Sequence, residues 1–252
     1  MNEPEHVIVS VADGVCEIRL NRPDKRNAIT LEMYRALTNA VHGANVDDDV
    51  RVILLSGAGA SFTAGNDLND FLSGPLLGDD HDAARFIRTL PAIRKIMIAA
   101  VHGATVGIGV TLLLHCDLVI AARSARLAVP FVRLGLVPEA ASSLLLPRLV
   151  GYQRAAEMLL LGAPVDATRA YEMGIVNRLV DDEALMSEAR ALAHSVARQP
   201  PEALFATKRL MRSGSTTILD RIEEELEAFR VQLDSAEFRT AAQEFLSKRR
   251  GS

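Results

Sequence analysis

The chain has 252 residues, 49% of them hydrophobic and 24% charged, so it can bury the core of one large domain or two small ones and is not a disordered chain. Its 28 basic residues against 32 acidic ones give a formal charge of -4, which argues against a nucleic-acid or anionic-lipid partner. Two distant cysteines, Cys16 and Cys116, provide neither a disulfide framework nor a zinc-ligand spacing, and no HExxH pair is present, so no metal site is expected.

The two lone cysteines fit a reducing, cytoplasmic setting, the opening MNEPEHVIVS has the composition of neither a secretory signal nor a transit peptide, and the closing KRRGS is not a peroxisomal tripeptide. VIVSV, ADG and VCEIRL then read as a hairpin turned at Asp13-Gly14. After NRPDKRN, Thr30 is placed to cap a helix through LEMYRALTNAVHGAN, and VRVILLSG returns as a buried strand. Gly74 to Asp82 reads as a mobile loop, and ARFIRTLPAIRKI as an amphipathic segment ended or kinked at Pro91.

Ile96 to Ala122 is long enough to span a bilayer, but it contains His102, His115, Asp117 and three glycines. It reads instead as a buried strand, a helix through VGIGVTLLLHC and a second strand, DLVIAA. From Pro138 onward the pattern is helical except for IVNRLV, Ile175 to Val180. The expected class is α/β, with a core over residues 1–195 and a C-terminal helical region over 196–252 whose apolar stripes suit docking on another copy.

Gly107 and Gly109 open like a dinucleotide fingerprint, but position 112 is Leu, so the third glycine is missing. There is neither a phosphate-binding GxxxxGK[ST] loop nor a GxSxG elbow. Two strand-to-helix junctions stand out, SFTAGNDLNDF from Ser61 and ATVGIGVTLL from Ala104. Small residues there either expose amides that converge on one oxygen, as in an oxyanion hole, or serve only tight turns at Gly65, Gly107 and Gly109. Glu139, after Pro138 at the expected start of an apolar helix, is either a first-turn acid or a base whose proton affinity is raised by apolar surroundings.

Taken in order, NRPDKRNAIT, FTAGNDLNDF, IAAVHGATVGIGVTLLLHCDLVIAA, LGLVP, GYQRAAEMLLLGAPVDATRAYEMGIVNRLV and EFLSKR resemble the crotonase superfamily, the enoyl-CoA hydratase and isomerase group. The resemblance implies a crotonase-like spiral of ββα units with a C-terminal helical trimerisation region, in a homotrimer or a dimer of trimers. It implies an acyl-CoA thioester as substrate, with no separate cofactor because coenzyme A belongs to the substrate. Carried over by position, the oxyanion amides are those of Asn66 and Ile108, with Gly107 beside the second. Ala64 and Leu68 line the CoA channel beside Gly65 and Asp67, and Phe245 and Lys248 approach the nucleotide, often from a neighbouring subunit. Arg26 is placed either to contact a CoA phosphate or simply to solubilise the surface.

Hydratases of the group carry two glutamates where this chain has Thr111 and Phe131, so ordinary hydration loses its pair of carboxyls. PFVRLGLVPEAASS, VGIGVTLL and AGNDL instead resemble the peroxisomal-type delta3,delta2-enoyl-CoA isomerases, in which one glutamate after proline moves the proton. The activity this implies is a shift of the double bond of a 3-enoyl-CoA to C2, with Glu139 as proton shuttle and Phe131 as a wall against water. Two alternatives are a specialised hydration or other crotonase reaction with Glu139 activating water, and a silent acyl-CoA binding protein.

Overall fold

The computed structural model describes residues 5–73, 81–212 and 215–250. The chain opens with the expected hairpin: β1 (Val7–Ala12) pairs antiparallel with β2 (Val15–Leu20), and both turn residues, Asp13 and Gly14, have positive φ, which matches the right-handed strand twist. Helix α1 (Leu31–Val46) starts where Thr30 Oγ1 accepts the Met33 amide, and it leads to β3 (Val52–Gly57). Next come α2 (Leu68–Ser73) and α3 (Asp82–Thr89), which gives way at Pro91 to a single 3-10 turn. Most of the loop expected over Gly74 to Asp82 lies outside the described residues.

From β4 (Ile96–Val101) the chain repeats one manoeuvre. Strand β4 joins the main sheet; β5 (Ala104–Val106) turns off it into a second, smaller sheet, and α4 (Ile108–Thr111) follows. β6 (Leu118–Ala122) and β7 (Arg126–Ala128) do the same before α5 (Ser142–Val150) and α6 (Tyr152–Leu161). β8 (Val165–Asp166), α7 (Ala167–Glu172) and β9 (Arg178–Val180) close the spiral. The main sheet runs β1-β2-β3-β4-β6-β9, parallel from β2 onward, and the small one runs β5-β7-β8.

The two faces of the main sheet explain its nearly unbroken apolar strands. Ile53, Leu55, Met97, Ala99, Val119 and Ala121 face a core shared with Met33, Leu37 and Val41 of α1. Val52, Leu54, Ile96, Ile98, Ile120 and Ala122 face α8 (Leu185–Ala197), whose Leu185, Ala189, Ala193 and Ala197 recur every four residues. The helices α9 (Pro201–Met211), α10 (Ser215–Leu233) and α11 (Ala236–Arg250) follow, and the boundary expected after residue 195 falls in the last turn of α8.

Three expectations are corrected. The helix through VGIGVTLLLHC is one α-turn followed by a 3-10 turn over Leu112–His115, because the chain must turn back at once into β6. The strand expected over Ile175 to Val180 is confined to Arg178–Val180. Glu139 is not in the first turn of a helix: α5 begins at Ser142, after Ala140 and Ala141 in the left-handed region. Among the described residues no helix is long and apolar enough to cross a membrane. The aspartate within the apolar run, Asp117, accepts the Met97 amide at 2.8 Å and the Lys208 ammonium at 2.7 Å, with Arg212 at 3.5 Å, so its charge is paired inside the protein.

Candidate active site

Parallel backbone pairing sets the two glycine-containing loops side by side. Thr63 bridges Thr105: the Thr63 amide donates to Ala104 at 3.0 Å, and the Val106 amide donates back to Thr63 at 3.0 Å. Asn66 and Ile108 each lie three residues beyond a member of that bridge, so their amides emerge at equivalent points of neighbouring loops. Neither amide donates to another group among the described residues, and Ile108 opens α4, where no intrahelical acceptor exists. Two free amides in register are the arrangement an oxyanion requires.

Glycine is needed at two of these positions for different reasons. Gly65 has φ +87, and a Cβ there would stand 2.9 Å from the Val106 carbonyl oxygen, so the loops could not approach. Gly109 has ordinary helical backbone, but its Cβ would meet Thr63 Cγ2 at 2.5 Å. Asn27 secures the first loop from behind: its side-chain amide donates to Ala58 and Ser61 at 2.8 Å, while its carbonyl receives the Thr63 hydroxyl at 2.6 Å. The Thr63 hydroxyl oxygen in turn accepts the Gly65 amide at 3.1 Å. Tyr34, buried against Phe86, donates its hydroxyl to the Asn66 side chain.

Glu139 is 3% exposed. Its Oε1 accepts the Thr111 hydroxyl, and its Oε2 is buried without a hydrogen-bond partner among the described residues. Burial pushes its carboxyl up to about 8; the Thr111 hydrogen bond opposes that rise and the Glu225 charge adds to it. Thr111 sits at the end of the one-turn helix that Ile108 begins, so a single short element carries an oxyanion amide at one end and the carboxyl's partner at the other. The turn bearing Glu139 is held by His115, whose ring Nε2 lies 2.7 Å from the Ala140 carbonyl oxygen. Burial brings the His115 pKa down to about 4, so the ring is neutral and carries its proton on Nε2.

A cleft of about 940 Å³ opens beside these groups. Ala64, Gly65, Asn66, Asp67 and Leu68 line it, as do Gly107, Phe131 and Phe245, whereas Ile108, Thr111 and Glu139 are buried and do not. Lys25, Arg26 and Arg133 are exposed at the cleft and Arg22 is half-buried there, with Asp24 and Glu244 also in the lining. Asp67 is paired with Arg22 at 2.6 Å. Phe245 reaches the cleft from α11 of the same chain; Lys248 lies in that helix, and its side chain is outside the described residues. Phe131 meets Phe229 of α10 edge to face, with ring centroids 6.4 Å apart. Among the described residues no group of acids, histidines and cysteines is arranged to hold a metal ion.

Sequence reasoning named Asn66, Ile108 and Glu139, of which the structure links the last two through α4 and Thr111, and it passed over Asn27 and Glu225. For Glu225 a signal existed: it shares a helix face with the apolar Ile222, Leu226 and Phe229, an unusual place for an acid.

Residues 10–252 match the family described as enoyl-CoA hydratase/isomerase. The chain is 38% identical to 1,2-epoxyphenylacetyl-CoA isomerase of Escherichia coli (strain K12), over 97% of either protein. It is 34% identical to enoyl-CoA delta isomerase 2 of Rattus norvegicus, across 98% of this chain and 65% of that protein. The crystal structure of enoyl-CoA hydratase/isomerase from Pseudoalteromonas atlantica T6c superposes with a TM-score of 0.93 at 38% identity, covering 97% of this chain and 98% of that one. The spiral, the paired loops and these likenesses agree: the chain belongs to the enoyl-CoA hydratase/isomerase family of the crotonase superfamily.

Proposed function

We propose that the protein isomerises a 3-enoyl-CoA to the conjugated 2-enoyl-CoA, with Glu139 as the only proton carrier. The observation that carries this reading is a buried carboxyl whose Oε2 has no partner among the described residues, tied through Thr111 to the helix whose first amide is free. The thioester carbonyl is received between the Asn66 and Ile108 amides. Glu139, in its carboxylate form, takes a proton from C2, and the electron pair passes into a dienolate whose oxygen the two amides stabilise. The same carboxyl then returns the proton at C4, and the double bond moves from C3 to C2. One base serves both carbons, so Thr111 and Phe131 at the positions of the hydratase glutamates are no obstacle. The aromatic wall keeps water from adding to the conjugated product. Lys25 and Arg26 supply positive charge for the CoA phosphates, and Phe245 supplies a ring for the nucleotide.

The aromatic lining around Phe131, with Phe229 and Phe238, also favours a second reading in which the acyl group is bulky or cyclic. The likeness to 1,2-epoxyphenylacetyl-CoA isomerase supports it.

The test is product identification by mass spectrometry and ultraviolet absorbance with separate straight-chain 3-enoyl, ring-bearing and 2-enoyl thioesters. Conjugated product from a 3-enoyl substrate is expected, falling by about 100-fold or more in Glu139→Gln. Full activity in that variant, or a hydroxyacyl product from the 2-enoyl substrate, would overturn the assignment.

A further inference from the structure

Helix α10 buries Ile222, Leu226 and Phe229 on one face, and Glu225 lies among them, 6% exposed. A carboxyl in such a position is desolvated and has to be held by donors. The Ser143 amide donates to Glu225 Oε1 at 2.9 Å, and the Ser143 hydroxyl donates to the same oxygen. Glu225 Oε2 is buried and without a partner among the described residues, as is Glu139 Oε2.

These donors belong to the turn that follows Glu139. The Ser142 amide and hydroxyl donate back to the Glu139 carbonyl at 3.1 and 2.7 Å, and His115 holds Ala140. Ala140, Ser142 and Ser143 are therefore tied to His115, to Glu139 itself and to Glu225 respectively, and Ala141 between them accepts the Leu144 and Leu145 amides of α5. Since Ala140 and Ala141 both occupy the left-handed region, the turn keeps its shape only while those ties exist.

We propose that Glu225 is a positioning residue for Glu139: it clamps the turn from Ala141 to Ser143 that presents Glu139, and it sets a second buried carboxyl against the one that carries the proton. The inference rests on Glu139 as the proton carrier. It makes helix α10, far along the chain, part of the chemistry. The titratable groups facing the pair are few. Burial raises the Glu139 pKa, Thr111 lowers it and the Glu225 charge raises it. Burial also raises the Glu225 pKa, against the Ser143 donors and the Arg221 charge. Tyr34 lies within the field of Glu139, and His115 beside the turn is neutral.

The experiment compares pH profiles of kcat and kcat/KM for wild type, Glu225→Gln, Glu225→Ala and Ser143→Ala, with Glu139→Gln as reference. Carbon-13 NMR titration of the glutamate carboxyls in the free proteins accompanies the kinetics. Glu225→Gln keeps an acceptor for Ser143 and removes the charge. Its rising limb and its Glu139 titration are expected to move to lower pH by on the order of one unit. Glu225→Ala and Ser143→Ala, which weaken the clamp, are expected to lower kcat roughly tenfold with KM little changed. A merely structural glutamate would lower kcat equally at every pH. An unmoved limb and titration in Glu225→Gln, with kcat intact in Ser143→Ala, would overturn the inference even if Glu225→Ala fails to fold. Full activity in Glu139→Gln would overturn the proton-carrier reading instead, and the NMR titration would still decide whether Glu225 governs Glu139.

Discussion

The two sides of the candidate site are built by opposite means. On the amide side the backbone does the positioning: the loops after β3 and β4 pair with each other through Thr63 and Thr105, and glycine supplies the conformation or the space. On the carboxyl side there is no glycine and no strand pairing. Two alanines in the left-handed region follow Glu139, at a cost of about 1–2 kcal/mol each, and side chains from the 3-10 turn after α4 and from α10 hold them there. A site whose donors are main-chain amides can thus be assembled locally, whereas a carboxyl that must stay dry and aimed needs partners recruited from far along the chain.

The largest break is expected on the amide side. Gly65→Ala forces a Cβ toward the Val106 carbonyl at a positive φ, displaces the Asn66 amide, and is expected to cost about 100-fold or more in kcat with 3-enoyl-CoA. Steady-state kinetics on the folded variant checks this, and near-normal kcat would mean that the amide side tolerates displacement.

The carboxyl side is more sharply tested through stability. Glu139 has a folded-state pKa of about 8 against 4.5 in the unfolded chain. Between those values the folded state holds the extra proton, so this group's contribution is fully present below about 4.5 and is lost as pH rises through 8. Glu139→Gln, which cannot ionise, is therefore expected to be more stable than wild type at alkaline pH, by up to a few kcal/mol, with the gap closing toward pH 5. Thermal melts across pH would show it, and a pH-independent difference would refute the raised proton affinity.

A smaller effect distinguishes space from conformation within the amide side. Gly109→Ala places a methyl against Thr63 Cγ2 and is expected to cost about 1–3 kcal/mol. Adding Thr63→Ser, which removes that methyl and keeps the hydroxyl bound to Asn27, is expected to restore most of it in a double-mutant cycle. The smallest effect lies opposite: Ala141→Gly relieves the left-handed backbone and is expected to stabilise by about 1 kcal/mol or less, while kcat falls several-fold as the turn loosens. Loss of stability there would show that the alanine conformation is not strained.

Much of this was legible in the chain itself. Asp13-Gly14 announced the hairpin, Thr30 announced the start of α1, and the unbroken apolar runs of β3, β4 and β6 announced buried parallel strands, because each of these signals acts within a few residues of where it is written. The small residues of AGND and VGIG marked the amide loops for the same reason. Nothing local marked β5, β7 and β8, which are only two or three residues long and exist because the spiral brings them together. Glu139 could be named from its sequence context, but its place in a left-handed turn before α5 could not, since alanine does not favour that conformation by itself. The sequence determined which residues carry amides, carboxyl and apolar strands. That Thr111, His115 and Glu225, distant along the chain, meet around one turn follows from packing, because partners for a buried carboxyl are chosen by proximity in space and not by neighbourhood in sequence.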